Sequence, residues 1–134
     1  MTDTEEAPGR AILDTSVVIA TGISPIPGVQ AISIATLAEL HFGVLVAKDP
    51  SVRAERLRRL SALQRRFDPL PVDDAVAVSY GQVAAAVVES GRQPRRRVMD
   101  LLIAATAHAH GARLYTRNEE DFIGLEDLID IVPL

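Results

Sequence analysis

Short apolar runs alternate with helical patterns along this chain, and that alternation leaves few folds open. Runs at residues 11–13, 31–35, 70–72, 112–116 and 129–132 read as buried strands. The first helical stretch, at 17–20, ends at Gly22, and the SPIPG loop follows at 24–28. A second helix starts near Thr36 and passes through Leu37, Leu40 and Val44. Asp49-Pro50-Ser51 breaks it and caps a third, in which Leu57, Leu60, Gln64 and Phe67 share one stripe up to Asp68-Pro69. Asp73 caps a fourth helix that runs to Gly91; the fifth runs from Pro94 to His110, with Gly111 as its stop. A turn or short helix is expected at 118–123. Strands separated by helices pair in parallel and need cover on both faces. The expected class is therefore α/β: a three-layer α/β/α sandwich around a parallel sheet of four to five strands. Residues 1–9 read as a flexible tail and 10–134 as one domain, without repeat or linker.

Length and composition fit such a domain. With 134 residues and 48% apolar side chains, the chain can bury a core of its own. No apolar run approaches the roughly 18 residues of a membrane span. The start, MTDTEEAPGR, is acidic, whereas a signal peptide opens with positive charge and an apolar stretch. A soluble, non-exported protein is expected. The lack of cysteine removes disulfides and thiolate metal ligands, and suits a cytoplasmic setting.

Four carboxylates stand where apolar runs meet helical patterns: Asp14, Glu39, Asp100 and Asp121. In open α/β sheets ligands bind beyond the carboxyl ends of the strands, so acids placed there converge. Each also has a purely structural reading. Asp14 could cap a helix starting at Thr15, and Thr36-x-x-Glu39 fits a capping box. Asp100 could pair with Arg96 or Arg97 on a helix surface, and Asp121 could cap a turn. The apolar flanks of Asp14 and Glu39, and the LLIAATA run after Asp100, weigh the other way, because a charge buried without a partner is costly. Carboxylate oxygens suit hard divalent cations such as Mg²⁺. The residues alone thus point to an acidic cation site of the kind that serves a metal-dependent phosphodiesterase.

Taken in order, AILDTSVVIA, ISIATLAELHFGV, DLLIAATAHAHGARLYTRNEEDF and IDIVPL resemble the PIN-domain ribonucleases, specifically the VapC-type toxins of toxin–antitoxin pairs. The likeness runs from Arg10 to Leu134. It consists of an Asp ending the first strand, a Glu-Leu-x-x-Gly helix, an Asp-x-x-Ile-Ala-Ala-x-Ala helix and a Thr-x-Asn-x-x-Asp-Phe segment. By that resemblance Asp14, Glu39, Asp100 and Asp121 fall on catalytic, metal-binding positions, and Ser16, Thr116 and Asn118 on supporting polar ones. The resemblance implies a PIN-like fold, Mg²⁺ (or Mn²⁺) as cofactor, and an RNA phosphodiester cut by metal-activated water. It also implies a cognate antitoxin and a homodimer. Asp14 and Asp100 are the expected direct ligands. Glu39 and Asp121 ligate directly, act through water, or help activate the nucleophile. The alternative is a non-catalytic PIN-like module that binds RNA or protein, and the presence of all four acids counts against it. A haloacid-dehalogenase-like phosphatase is excluded, because Ser16 stands where its second Asp belongs and Lys48 is the only lysine.

The net charge is −4, yet thirteen of the fourteen basic residues are Arg. Arg95, Arg96 and Arg97 begin one turn before Asp100 and read either as RNA phosphate contacts or as a solvated helix start. The stretch from Arg53 to Arg66 reads as a solvated helix face. Few aromatics and no Trp leave base stacking poorly supported, so recognition of RNA by shape or backbone is expected. His41, His108 and His110 read as surface or interface residues, with no zinc spacing among them. The aliphatic helices at 76–88 and 37–46 are the expected surfaces for dimer or antitoxin contacts.

Overall fold

The computed structural model describes residues 9–20 and 25–134. The expected tail, apart from Gly9, and the helix end at Gly22 lie outside the described residues. Four strands, β1 (Arg10–Leu13), β2 (Val29–Ala31), β3 (Arg113–Thr116) and β4 (Ile131–Pro133), form one parallel sheet in the order β2-β1-β3-β4. Helix α1 (Thr15–Val18) follows β1. After β2 come α2 (Ile34–Val46), α3 (Pro50–Arg66) and α4 (Asp74–Glu89), and α5 (Val98–Ala109) leads into β3. Single 3₁₀ turns, Pro94–Arg97 and Glu119–Phe122, precede α5 and follow β3.

Side-chain alternation along β1 defines the layers. Ile12 packs with Val83 of α4 and with Leu101 and Ala104 of α5, whereas Ala11 and Leu13 pack with Val17 of α1 and Leu63 of α3. On β3, Leu114 joins the first cluster and Tyr115 the second. Helices thus cover both faces, as a parallel sheet requires, and the α/β/α sandwich is present. Among the described residues no helix is long and apolar enough to cross a membrane.

Three elements differ from their sequence pattern, each for a local reason. The strand expected at 70–72 contributes a single parallel bridge, Leu70 to Ser33, with Leu70 N–H donating to Ile32 O (2.8 Å). Pro69 and Pro71 flank Leu70 and cannot donate to a ladder, so no strand propagates. The strand expected at 31–35 stops at Ala31, because Ser33 Oγ accepts the Ala35 N–H (3.0 Å) and caps α2 there. Thr36 is then already helical, its N–H on Ser33 O (3.0 Å), so the Thr36–Glu39 capping box does not form. The helix expected from Pro94 to His110 is split, since Arg97 (φ −137°, ψ 31°) leaves helical backbone between the 3₁₀ turn and α5. Elsewhere the caps are as read. Asp49 accepts from Ser51 N (2.9 Å), Asp73 accepts from Val76 N (3.0 Å), and Gly111 stops α5 in the left-handed region at φ +59°.

The arginines of α3 are not merely a solvated face. Arg53 donates to Ala47 O (2.8 Å) and Arg56 to Gly43 O (2.7 Å), both at the C-terminal end of α2. Arg59 donates to Ile19 O (3.1 Å), at the C-terminus of α1. These carbonyls have no intrahelical partner or lie in a last turn, where a cation is favoured. The arginines therefore dock α3 onto the two helices that carry Thr15 and Glu39. Arg58, paired with Glu55, remains a solvated pair as expected.

Candidate active site

The four carboxylates come from four elements around the carboxyl ends of β1 and β3. Asp14 follows β1 directly, and its N–H donates to Tyr115 O (3.1 Å), joining the ends of the two strands. The residue is 5% exposed. Its Oδ1 accepts from Val17 N (3.2 Å), so Asp14 does cap α1, and it also accepts from Ser16 Oγ (2.5 Å). Ser16 Oγ in turn accepts from Arg117 N (2.9 Å), tying the loop after β3 to the loop after β1. Glu39 lies on α2, where its Oε1 accepts from Thr15 Oγ1 (2.5 Å), a hydroxyl 3.2 Å from that of fully buried Thr36.

Asp100 stands half-buried in the first turn of α5. Burial first, and then the charges of Asp121, Glu39 and Asp14, push its carboxyl up to about 6, with Arg97 acting the other way. All four acids therefore share one field. Asp121 sits on the 3₁₀ turn after β3, where its N–H donates to Asn118 O (2.9 Å) and its Oδ1 accepts from Arg97 Nη1 (2.6 Å). Thr116, fully buried at the end of β3, accepts the Asn118 N–H (2.9 Å) and so shapes that turn. Asn118 contributes through its backbone. Asp14, Glu39 and Asp121 each have one carboxylate oxygen on a protein donor. As placed, no three acidic or histidine side chains among the described residues stand close enough to share an ion.

A PIN-domain family model matches residues 11–127. The chain belongs to the PIN-domain family. Ribonuclease VapC5 of Mycobacterium tuberculosis is 38% identical over 125 residues, covering 89% of this chain and 90% of that protein. Ribonuclease VapC4 of the same organism is 39% identical over 127 residues, with 89% and 93% covered. Among solved structures, that of VapBC-5, a member of the VapBC family of toxin-antitoxin systems from Mycobacterium tuberculosis, matches with a TM-score of 0.83 and 36% identity. It covers 95% of this chain and all of the matched one.

Within this PIN domain, the sequence motifs point to the four acids, and two further groups bear on them. The motifs single out Ser16 and not Thr15, although a hydroxyl directly after Asp14 is a visible signal. Arg97, which by spacing belongs with Arg95 and Arg96 or pairs with Asp100, forms its ion pair with Asp121 instead. Arg95 and Arg96 are exposed. The histidines stand apart from the acids. His108 Nδ1 is 2.8 Å from Ser79 Oγ, and His110 Nδ1 accepts from Arg10 Nη1 (2.8 Å) at the amino end of β1. His41 is exposed on α2.

Proposed function

We propose that this chain is a divalent-metal-dependent endoribonuclease toxin, a single nuclease domain over residues 10–134 that a cognate antitoxin neutralises in the cytoplasm. One observation carries the reading: Asp100 lies near enough to three carboxylates from separate elements that burial first, and then the charges of Asp121, Glu39 and Asp14, hold its carboxyl at about 6. Acids gathered in this way are relieved by a cation. Their donors are all oxygen, which suits Mg²⁺, with Mn²⁺ accepted in its place. We assign Asp14 and Asp100 as direct ligands, and Glu39 and Asp121 as ligands either directly or through water. When bound, such a cation supplies an activated water and offsets charge at the scissile phosphodiester. The chain's own part is to hold the acids. Ser16 fixes Asp14, Thr15 fixes Glu39, and Thr116 with Asn118 sets the turn that carries Asp121. The ribonuclease names of the relatives support RNA as the substrate. Purified protein freed of antitoxin should cleave RNA in Mg²⁺, stop in chelator, and resume on added Mg²⁺ or Mn²⁺. Undiminished cleavage in chelator would overturn the metal reading, and RNA binding without cleavage under any metal would favour a binding module.

Arg95 and Arg96 lie exposed one turn before Asp100, where a phosphate backbone entering the site would pass. Replacing both by Ala should weaken RNA binding and lower the slope of log affinity against log salt by about 2, roughly one per lost phosphate contact. Fluorescence anisotropy across a salt series checks this, and an unchanged slope would make the pair a solvated turn. For the antitoxin, support comes from a relative solved within a toxin–antitoxin system. A groove of about 420 Å³ between α1, α2 and α3, lined by Ile19, Leu40, Leu60 and Leu63, has Glu39 on its wall and offers apolar surface beside the acids. Phe42 and Leu45 on α2 are 67% and 73% exposed, and we assign this helix to antitoxin or homodimer contacts. α4 offers less, since Val76, Val83 and Val87 are buried, leaving Val78 and Val88 outward.

A further inference from the structure

The 3₁₀ turn that carries Asp121 is gripped by two arginines from the segment before α5. Arg92 Nη1 donates to Glu120 O (3.0 Å), holding the backbone, while Arg97 Nη1 donates to Asp121 Oδ1 (2.6 Å). Arg97 is unlike the two arginines before it. Arg95 and Arg96 are exposed and, among the described residues, form no ion pair, whereas the Arg97 and Asp121 side chains are only 27% and 29% exposed. Arg97 also opposes the three carboxylates that act on Asp100, and it is the one cation among the groups that do. A fixed positive charge therefore sits inside the cluster of acids, attached to the acid on the least regular element.

That charge and a divalent cation answer the same need. Both draw on Asp121: its Oδ1 faces a guanidinium at 2.6 Å, so a cation taken up by this carboxylate, through either oxygen, is brought close to a like charge. We propose that Arg97 is the built-in counter-cation of the acidic site and competes with the divalent cation for Asp121. This rests on the reading that the four carboxylates hold a metal. It differs from a positioning role in the sign of its consequence. Removing a competitor tightens metal binding, whereas removing a support for Asp121 loosens it.

Calorimetric titration of the full chain with Mn²⁺ separates the two. Arg97→Gln should bind Mn²⁺ about three- to tenfold more tightly than the unaltered chain, and Arg97→Lys, which keeps the charge, should stay within about twofold. A second measurement needs no variant: on saturation with diamagnetic Mg²⁺, the Arg97 Nε–Hε signal should shift and exchange faster with water as the pair opens. This arm decides the matter if Arg97→Gln does not fold. Equal or weaker Mn²⁺ binding by a folded Arg97→Gln, or an Arg97 signal unmoved at Mg²⁺ saturation, overturns the proposal alone. An unaltered chain that binds no Mn²⁺ overturns the metal reading and this inference with it.

Discussion

Asp100→Asn should cut RNA cleavage about a thousandfold, some 4 kcal/mol of lost transition-state stabilisation, and at the same time raise the stability of the fold at neutral pH. The two effects have one origin. Burial and then the charges of Asp121, Glu39 and Asp14 raise the Asp100 carboxyl from 3.8 to about 6. The folded chain thus holds this proton more tightly than the unfolded one. The stability Asp100 contributes is full below about pH 4 and is lost as pH rises through about 6. Above that, the ionised group opposes folding by about 1–2 kcal/mol, once solvent screening of a half-buried carboxylate is allowed for. Asn keeps the shape without the charge. Denaturant unfolding in chelator should show the unaltered chain losing stability between pH 4 and pH 7.5 and the variant losing less, with the gap closing toward the acid side. A variant that is less stable at pH 7.5 would refute the electrostatic account, and one that cleaves at full rate would refute the catalytic one.

Asp14→Ala should lose cleavage to a similar extent and move stability in the opposite direction. Asp14 is both a proposed ligand and the cap of α1, and its carboxylate accepts the Ser16 hydroxyl that fastens Arg117 N–H. Removing it leaves the Val17 N–H without its side-chain acceptor and frees the loop after β3. Loss of such a cap costs about 1–2 kcal/mol. Thermal melts should therefore fall by several degrees for Asp14→Ala, while Asp14→Asn, which keeps an acceptor, recovers most of that loss yet stays inactive. If Asp14→Ala melted like the unaltered chain, the bridge between the two loops would be without structural weight.

The acids were legible in the sequence because each stands at a boundary between two periodicities, and in a parallel sheet those boundaries converge. What was not legible depended on single local competitions or on long-range pairing. Ile34 and Ala35 extend an apolar run that looks like strand, and only the Ser33 hydroxyl turns the chain into helix two positions earlier than Thr36 would. Leu70 and Val72 look like strand until the prolines around Leu70 are given their full effect. The pair between Arg97 and Asp121 spans 24 residues and involves two 3₁₀ turns, elements that leave little periodic trace. The arginines of α3 look solvated by spacing. Their use as caps for the ends of α1 and α2 depends on how α3 lies across them, which spacing alone does not encode.

The two prolines beside Leu70 matter beyond the strand they suppress. β2 is one margin of the sheet and β4 the other, and each spans only three residues. Beside β2, Leu70 takes the open position next to Ser33 with a proline on each side, and β4 ends on Pro133. An exposed margin is a template on which a foreign strand can grow, and proline in a short edge denies it the donors to do so. Among the described residues both margins are therefore poor templates for a ladder with a second copy. Contacts of this chain with itself or another protein are therefore expected on its helices rather than along the sheet margins.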